Sequence, residues 1–316
     1  MTTASAPGKI ILFGEHAVVY GRPALAAPVT QVHADVDIAA SDRPGIWIDA
    51  PGISLRCELN ALPSDHPIAS VIHNFFPPLS SPHFRESKME GQRGVKITIT
   101  STIPVASGLG SGAAVTVALV RALAAHFNVP MSAEEVNAFA YEIEKIHHGT
   151  PSGIDNTVIT YAKPVYFVRG QPIETFTVGE PFTIVIGDTG ISAPTKEAVG
   201  DVRKLWEADR EKWEGVFDQI GRIVKEAREK IESGKWKELG GLMNDNHALL
   251  QQMTVSSPEL DRLVEAGRKA GALGAKLSGG GRGGNMIALV EPSDAEAVVR
   301  SLKEAGAKNA IVTQIG

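Results

Sequence analysis

The stretch Pro104-Val-Ala-Ser-Gly-Leu-Gly-Ser-Gly-Ala-Ala114 constrains this chain more than any other. It falls between an alternating strand, Lys96 to Thr100, and a helical pattern from Ser111 to about Phe127. Val115, Leu119, Ala122 and Leu123 share one face of that helix. Gly108, Gly110 and Gly112 permit positive φ and close backbone approach. The helix behind them points its free N–H groups and the positive end of its dipole back at the loop, a geometry that binds a phosphate chain. Taken alone, the stretch is equally a tight strand-to-helix turn. It is not a Walker loop: Gly8-Lys9 and Gly234-Lys235 both lack the spacing and the hydroxyl.

Two further stretches carry chemistry. In Glu144 to Asn156, Glu144 follows Ile143 and lies one turn after Ala140, so it borders the buried face of its helix. A carboxylate placed there needs a partner, and a metal ion would serve. Asp155 follows a loop punctuated by Gly149, Pro151 and Gly153, a rigid frame for aiming a side chain. Two carboxylates suit two tasks in phosphoryl transfer, one on Mg²⁺ and one on the attacking hydroxyl. The plain alternative is a helix-surface charge and a turn residue. His147 and His148 suggest a metal pair, but adjacent helical positions point apart, which favours surface or packing roles. The glycine-dense Lys276 to Asn285 costs backbone entropy, which points to close approach to a ligand or another loop; a flexible hinge is the alternative.

At 316 residues the chain is about twice a usual ~150-residue domain, so two lobes are expected, with one large domain as the alternative. The boundary is placed near Gly179, giving lobes 1–179 and 180–316. The formal net charge of -5 gives no bulk pull toward nucleic acid or an anionic membrane, so any phosphate must be held locally. The single cysteine, Cys57, forms no intrachain disulfide, and Met1 to Lys9 shows no secretory signal. The uncharged stretch Ile97 to Val120 reads as strand, loop and buried helix rather than as a membrane span. These features point to a cytoplasmic protein.

Strands are expected at Lys9 to Phe13, Gln31 to Ala39, Val158 to Val168 around Pro164, Phe182 to Gly187, Met286 to Val290 and Ala310 to Ile315. Helices are expected near Ile68 to Phe76, behind a Ser132–Glu135 capping box, over Lys196 to Ile231, over Trp236 to Met253, after Ser257-Pro258, and behind a Ser293–Glu296 box. An exposed loop is expected around Pro77 to Gly91. Strands and helices mix without strict alternation, so the fold class is α+β.

Together these stretches resemble the GHMP kinase superfamily, and within it the mevalonate kinases. The motifs are Ala6-Pro-Gly-Lys-Ile-Ile-Leu-Phe-Gly-Glu-His-Ala-Val-Val-Tyr-Gly21, Pro104 to Ala114, His148-Gly-Thr-Pro-Ser-Gly-Ile-Asp-Asn156, and Lys276 to Asn285. They span nearly the whole chain in the family's order. The resemblance implies a two-lobed fold with the active site in the cleft between the lobes. It implies ATP as co-substrate, Mg²⁺, and mevalonate as the acceptor phosphorylated on its 5-hydroxyl, with no nucleic-acid or membrane partner. The family's frequent dimers leave a homodimer open.

By position, Asp155 matches the catalytic aspartate and Lys9 the lysine paired with it. Glu144 matches the Mg²⁺-ligating glutamate. Glu15 and His16 match residues of the mevalonate pocket, and Thr195 a threonine near acceptor and phosphate. The segment Pro104, Val105, Ala106, Ser107, Gly108, Leu109, Gly110, Ser111, Gly112, Ala113 and Ala114 would wrap the ATP phosphates, with Gly279 to Gly284, Gly280 among them, closing the site. Two positions depart from the pattern. The second serine of the family's Gly-Leu-Gly-Ser-Ser, its usual Mg²⁺ ligand, is Gly112 here, which leaves Ser111 for the metal or the β-phosphate. Arg282 interrupts the third glycine run and either adds a phosphate contact or projects into solvent. A phosphomevalonate kinase, a 3-hydroxyl kinase and a non-catalytic nucleotide-binding relative remain as alternatives.

Overall fold

The computed structural model describes residues 1–76, 94–104, 107–148, 152–192 and 195–316, with the side chains of His148 and Thr195 outside that description. The loop expected at Pro77 to Gly91 lies outside it as well. In chain order the described strands are β1 (Thr2–Phe13), β2 (Ala24–Ser41), β3 (Ile46–Ala50), β4 (Leu55–Glu58), β5 (Gly94–Ser101), β6 (Val165–Phe167), β7 (Glu174–Thr175), β8 (Phe182–Asp188), β9 (Gly274–Ser278), β10 (Asn285–Val290) and β11 (Asn309–Ile315). The described α-helices are α1 (Pro67–Phe75), α2 (Ser111–His126), α3 (Ala133–His148), α4 (Ile154–Tyr161), α5 (Thr195–Ala208), α6 (Arg210–Glu232), α7 (Leu239–Gln252), α8 (Pro258–Lys269) and α9 (Ala295–Glu304). The α+β class holds. The chain divides into two compact units, each built from separated segments.

The first unit comprises the described residues of Met1–Gly8, Val32–Pro104 and Gly110–Tyr161. Its strands run β4-β3-β5-β2, with β3 parallel to β5 and the other pairs antiparallel. The period-two pattern is realised on β2: Val32, Ala34, Val36 and Ile38 are buried while their neighbours are not. Val36 and Ile38 pair with Ile99 and Ile97 of β5. Helix α2 is buried on nearly every side, as its apolar run requires, and α1, α3 and α4 pack on it. The Ser132–Glu135 box closes both ways: Ser132 N–H donates to Glu135 Oε2 at 2.7 Å, and Glu135 N–H to Ser132 Oγ at 3.2 Å.

One strand assignment in this unit is overturned. Residues Ile154–Tyr161 form a helix, and only Val165–Phe167 beyond Pro164 is extended. The β-branched run Thr157-Val-Ile-Thr160 favours strand locally. Burial against α2 and α3 overrides that preference, and Thr157 Oγ1 donates to Gly153 O at 2.7 Å across the first turn.

The second unit comprises the described residues of Lys9–Gln31, Val105–Leu109 and Ala162–Gly316. Its main sheet is antiparallel in the order β11-β8-β10-β9. β9 and β10 are buried along their whole length, so β10 reads as an unbroken apolar run instead of alternating. Helix α7 crosses β9 backbone to backbone: a Cβ built on Gly274 would lie 2.0 Å from Gly240 O. Helix α8 packs on β9 and β10, and α9 on β8 and β11.

The long helix expected over Lys196 to Ile231 is two helices. Asp209 breaks it by capping α6, accepting from Lys212 N–H at 3.1 Å. Trp236–Glu238 is a 3₁₀ turn ahead of α7. Ser257 caps α8 through Leu260 N–H at 3.3 Å, as expected. The Ser293–Glu296 box does not form: Pro292 opens a 3₁₀ turn, Asp294 becomes the N-cap, and no side chain caps the helix.

Candidate active site

In the second unit, β1 carries the buried Lys9 into the core, and Lys9 N–H donates to Leu109 O at 2.9 Å. Gly14 then turns the chain at φ +98, where a Cβ would lie 2.5 Å from Ala24 Cα and Pro23 O. Only glycine suits that corner. The turn is held from behind: the Tyr20 ring stacks on Phe217 of α6 at 4.2 Å, and the Arg22 guanidinium bonds Asp218 at 2.9 Å. Glu15 and His16 are thereby presented on a braced segment, both buried.

Glu15 pairs with Lys276 of β9, and the two side chains are 1% and 0% exposed. The Lys276 ammonium also donates to Leu277 O at 2.6 Å. Burial pushes the Lys276 pKa down, and the Glu15 carboxylate opposes the shift. Glu15 Oε2 has no hydrogen-bond partner among the described residues. A buried carboxylate oxygen with an unused lone pair is an acceptor for a ligand hydroxyl.

His16 Nε2 lies 3.0 Å from Gly280 O. Burial drives its pKa down to about 4; the Gly280 hydrogen bond opposes this and the Arg282 charge adds to it. The imidazole is therefore neutral near pH 7. A carbonyl acceptor assigns the hydrogen to Nε2, which leaves Nδ1 as an acceptor.

The two glycine-rich loops of this unit meet at their ends. Asn285 Nδ2 donates to Ser107 O, and a Cβ built on Gly108 would lie 3.7 Å from that same nitrogen. Gly281 passes so close to Val255 that a Cβ would lie 1.9 Å from its carbonyl oxygen. Close backbone approach thus explains the glycines, and a hinge does not. Arg282 is not loose in solvent: its Nη1 pairs with Asp201 Oδ2 of α5 at 2.6 Å.

In the first unit, Gly110 takes φ +74 as N-cap of α2, and Ala114 N–H donates to Gly110 O at 2.9 Å. No side chain caps this end. The amides of Ser111, Gly112 and Ala113 precede the first intrahelical donor, Ala114 N–H, and point out of the helix with its dipole. Ser111 is half-buried, Ala113 and Ala114 are buried, and a Cβ on Gly112 would meet nothing within 4 Å. Pro104 is half-buried; Val105 and Ala106 lie outside the described residues.

Glu144 is half-buried on α3, beside the buried Ala140 and Ile143. Asp155 is half-buried in the first turn of α4. Asn156 ties the two helices, its Nδ2 donating to Asn137 Oδ1 at 2.6 Å. Both carboxylates therefore stand on one braced helix pair. An Mg²⁺ ion takes one or two carboxylates and completes its shell with phosphate oxygens and water. Among the described residues no group of three or more His, Cys, Asp or Glu side chains converges. Glu144 and Ser111 each offer a hard oxygen, the donor chemistry an Mg²⁺ ion accepts alongside nucleotide phosphates and water.

Local sequence pattern does not reveal Lys276 and Asn285 as partners or Asn156 as a brace. A lysine set in the apolar run Gly274-Ala-Lys-Leu277 was the available signal, because a charge there requires a counter-charge. Thr195 opens α5, but its side chain is not described.

A glycine-capped helix start, a braced pair of acids and a buried Lys–Glu–His segment on an α+β chain define a small-molecule kinase of the GHMP class. The model described as "GHMP kinases N terminal domain" matches residues 81–163, and "GHMP kinases C terminal" matches 227–308. The mevalonate kinase of Thermococcus sibiricus is 40% identical, over 99% of this chain and 95% of its own. That of Pyrococcus furiosus is 38% identical, over 96% and 93%. The crystal structure of L. major mevalonate kinase in complex with R-mevalonate matches with a TM-score of 0.84 at 31% identity, covering 100% of this chain and 96% of that one. The chain belongs to the mevalonate kinase family. It is a phosphotransferase that uses ATP, and none of its described helices is long and apolar enough to cross a membrane.

Proposed function

We propose that this chain transfers the γ-phosphoryl group of ATP to the 5-hydroxyl of (R)-mevalonate. The observation that carries the reading is the full-length match to a mevalonate kinase whose structure contains R-mevalonate. Five motif residues support it: Lys9, Glu15, His16, Glu144 and Asp155 are all retained. In this reading Asp155 accepts the hydroxyl proton as the alcohol oxygen bonds to the γ-phosphorus and the bond to ADP breaks. The Lys9 ammonium and the amides of Ser111 to Ala113 offset phosphate charge. Glu144 and Ser111 would hold Mg²⁺, which supplies charge neutralisation on the β- and γ-phosphates when bound. Neutral His16, steered by Gly280, and the open Oε2 of Glu15 take hydrogen bonds from the acceptor; Thr195 joins them. The reading carries a cytoplasmic setting, in which the Cys57 thiol stays reduced.

ADP release measured across mevalonate, phosphomevalonate, galactose and homoserine tests it. Turnover on mevalonate alone is expected, and turnover on another member instead would replace the acceptor. In the same assay Asp155→Asn should lose about 10²–10⁴-fold in kcat with unchanged circular dichroism. A near-parental rate would remove Asp155 from its role.

A further inference from the structure

The loop joining β9 to β10 carries one bulky side chain among its glycines. Arg282 takes φ +60, in line with Gly281, Gly283 and Gly284, which also have positive φ. A non-glycine residue is disfavoured there, so local contacts must hold it. Its N–H donates to Val255 O at 2.8 Å, and its Nη1 reaches Asp201 Oδ2 at 2.6 Å. Asp201 belongs to α5, the helix that opens with Thr195, and it also pairs with Lys204 at 2.8 Å. Two residues before Arg282, Gly280 O receives the His16 hydrogen bond, and the Arg282 charge bears on that imidazole.

We propose that Arg282 and Asp201 form a positioning pair that fixes the β9–β10 glycine loop, and with it the Gly280 carbonyl that orients His16, against helix α5. The pair is 33% and 37% exposed, and an ion pair so exposed adds little to global stability. Glycine at 282 would relieve the left-handed backbone, so stability alone does not account for arginine. Its effect is local. The guanidinium is also a poor anion site as it stands, because the Asp201 carboxylate at 2.6 Å repels an incoming phosphate. For its kinetic arm, the inference rests on the mevalonate kinase reading.

The full-length protein is tested as Asp201→Asn, Arg282→Gly and the double variant, by hydrogen–deuterium exchange and steady-state kinetics. Gly284 N–H, which donates to Ile191 O at 2.9 Å, reports the loop in every variant. Its exchange should quicken about fivefold or more in each single variant, with the melting temperature close to parental. The mevalonate KM should rise about three- to tenfold with kcat changed less, and the double variant should match the singles instead of adding to them. The charge swap Asp201→Arg with Arg282→Glu should recover part of the loss. Unchanged exchange and KM in Asp201→Asn would overturn the proposal. So would an Asp201→Asn variant that tightens ATP while Arg282→Gly weakens it, because Arg282 would then be a direct phosphate contact. A parent inactive on mevalonate would sink the functional reading, and the exchange arm would still decide the pair.

Discussion

Lys276→Met isolates the buried pair beneath the acceptor residues. In the parent, the Lys276 ammonium is shared between the Glu15 carboxylate and Leu277 O, and both side chains are sealed from solvent. Removing the lysine strands a carboxylate that already has one unpartnered oxygen, Oε2. Breaking one half of such a pair costs about 3–5 kcal/mol, while replacing both halves by apolar groups is often neutral or stabilising by about 1–4 kcal/mol. The expected pattern is therefore strong destabilisation in Lys276→Met and recovery in Lys276→Met with Glu15→Leu, a coupling of about 3 kcal/mol or more. Urea unfolding followed by tryptophan emission suits the measurement, because Trp213 and Trp236 are buried in the same unit as the pair. The recovered double variant should be folded yet poor at binding mevalonate, since it lacks the Glu15 acceptor. A Lys276→Met protein within about 1 kcal/mol of parent would refute the reasoning, by showing that Glu15 does not depend on this counter-charge.

Lowering the pH should destabilise the fold through His16 and His247, each held near a pKa of about 4 chiefly by burial. The unfolded chain binds these protons near pH 6.5 and the folded chain only near 4, so stability falls as pH drops between them, by of order 2 kcal/mol per imidazole at pH 5. His247→Gln should flatten that slope in urea titrations at pH 7 and pH 5; an unchanged slope would mean His247 is not buried neutral. Gly112→Ser should be accepted without strain, because a Cβ there meets nothing, and should gain about 0.5 kcal/mol of helix propensity. If Ser111 holds the metal alone, the added hydroxyl should lower the Mg²⁺ concentration for half-maximal rate, and a raised requirement would count against that assignment. Gly274→Ala forces apart α7 and β9, whose backbones nearly touch, and should cost about 3 kcal/mol or more; a melting temperature equal to parent would contradict the contact.

What could be read from the sequence was local chemistry. The Ser132–Glu135 and Ser257 caps, the alternation on β2 and the glycine starts of α2 and of the β9–β10 loop each depend on residues a few positions apart. Where local preference met tertiary burial, it lost: Thr157 to Thr160 favour strand by side-chain shape and are helical because α2 and α3 enclose them. Short signals also misfire when a stronger neighbour intervenes, as Pro292 did to the Ser293–Glu296 box. The candidate site was legible at the same grain. Glycines mark where backbone must come close, so the loops could be found, but they do not say what approaches. Those partners are far off in the chain: Lys276 stands 261 residues from Glu15, Asn285 stands 178 from Ser107, and Arg282 stands 81 from Asp201. A periodicity argument does not reach such distances. A solvation argument does for the lysine, because a charge in a buried strand requires a counter-charge wherever the chain can supply one, while the arginine stands out only as the one bulky charge in a glycine loop. Charged residues out of pattern are thus the sequence's pointers to long-range contacts, and in this chain two of them, Lys276 and Arg282, bear on the segment that carries Glu15 and His16.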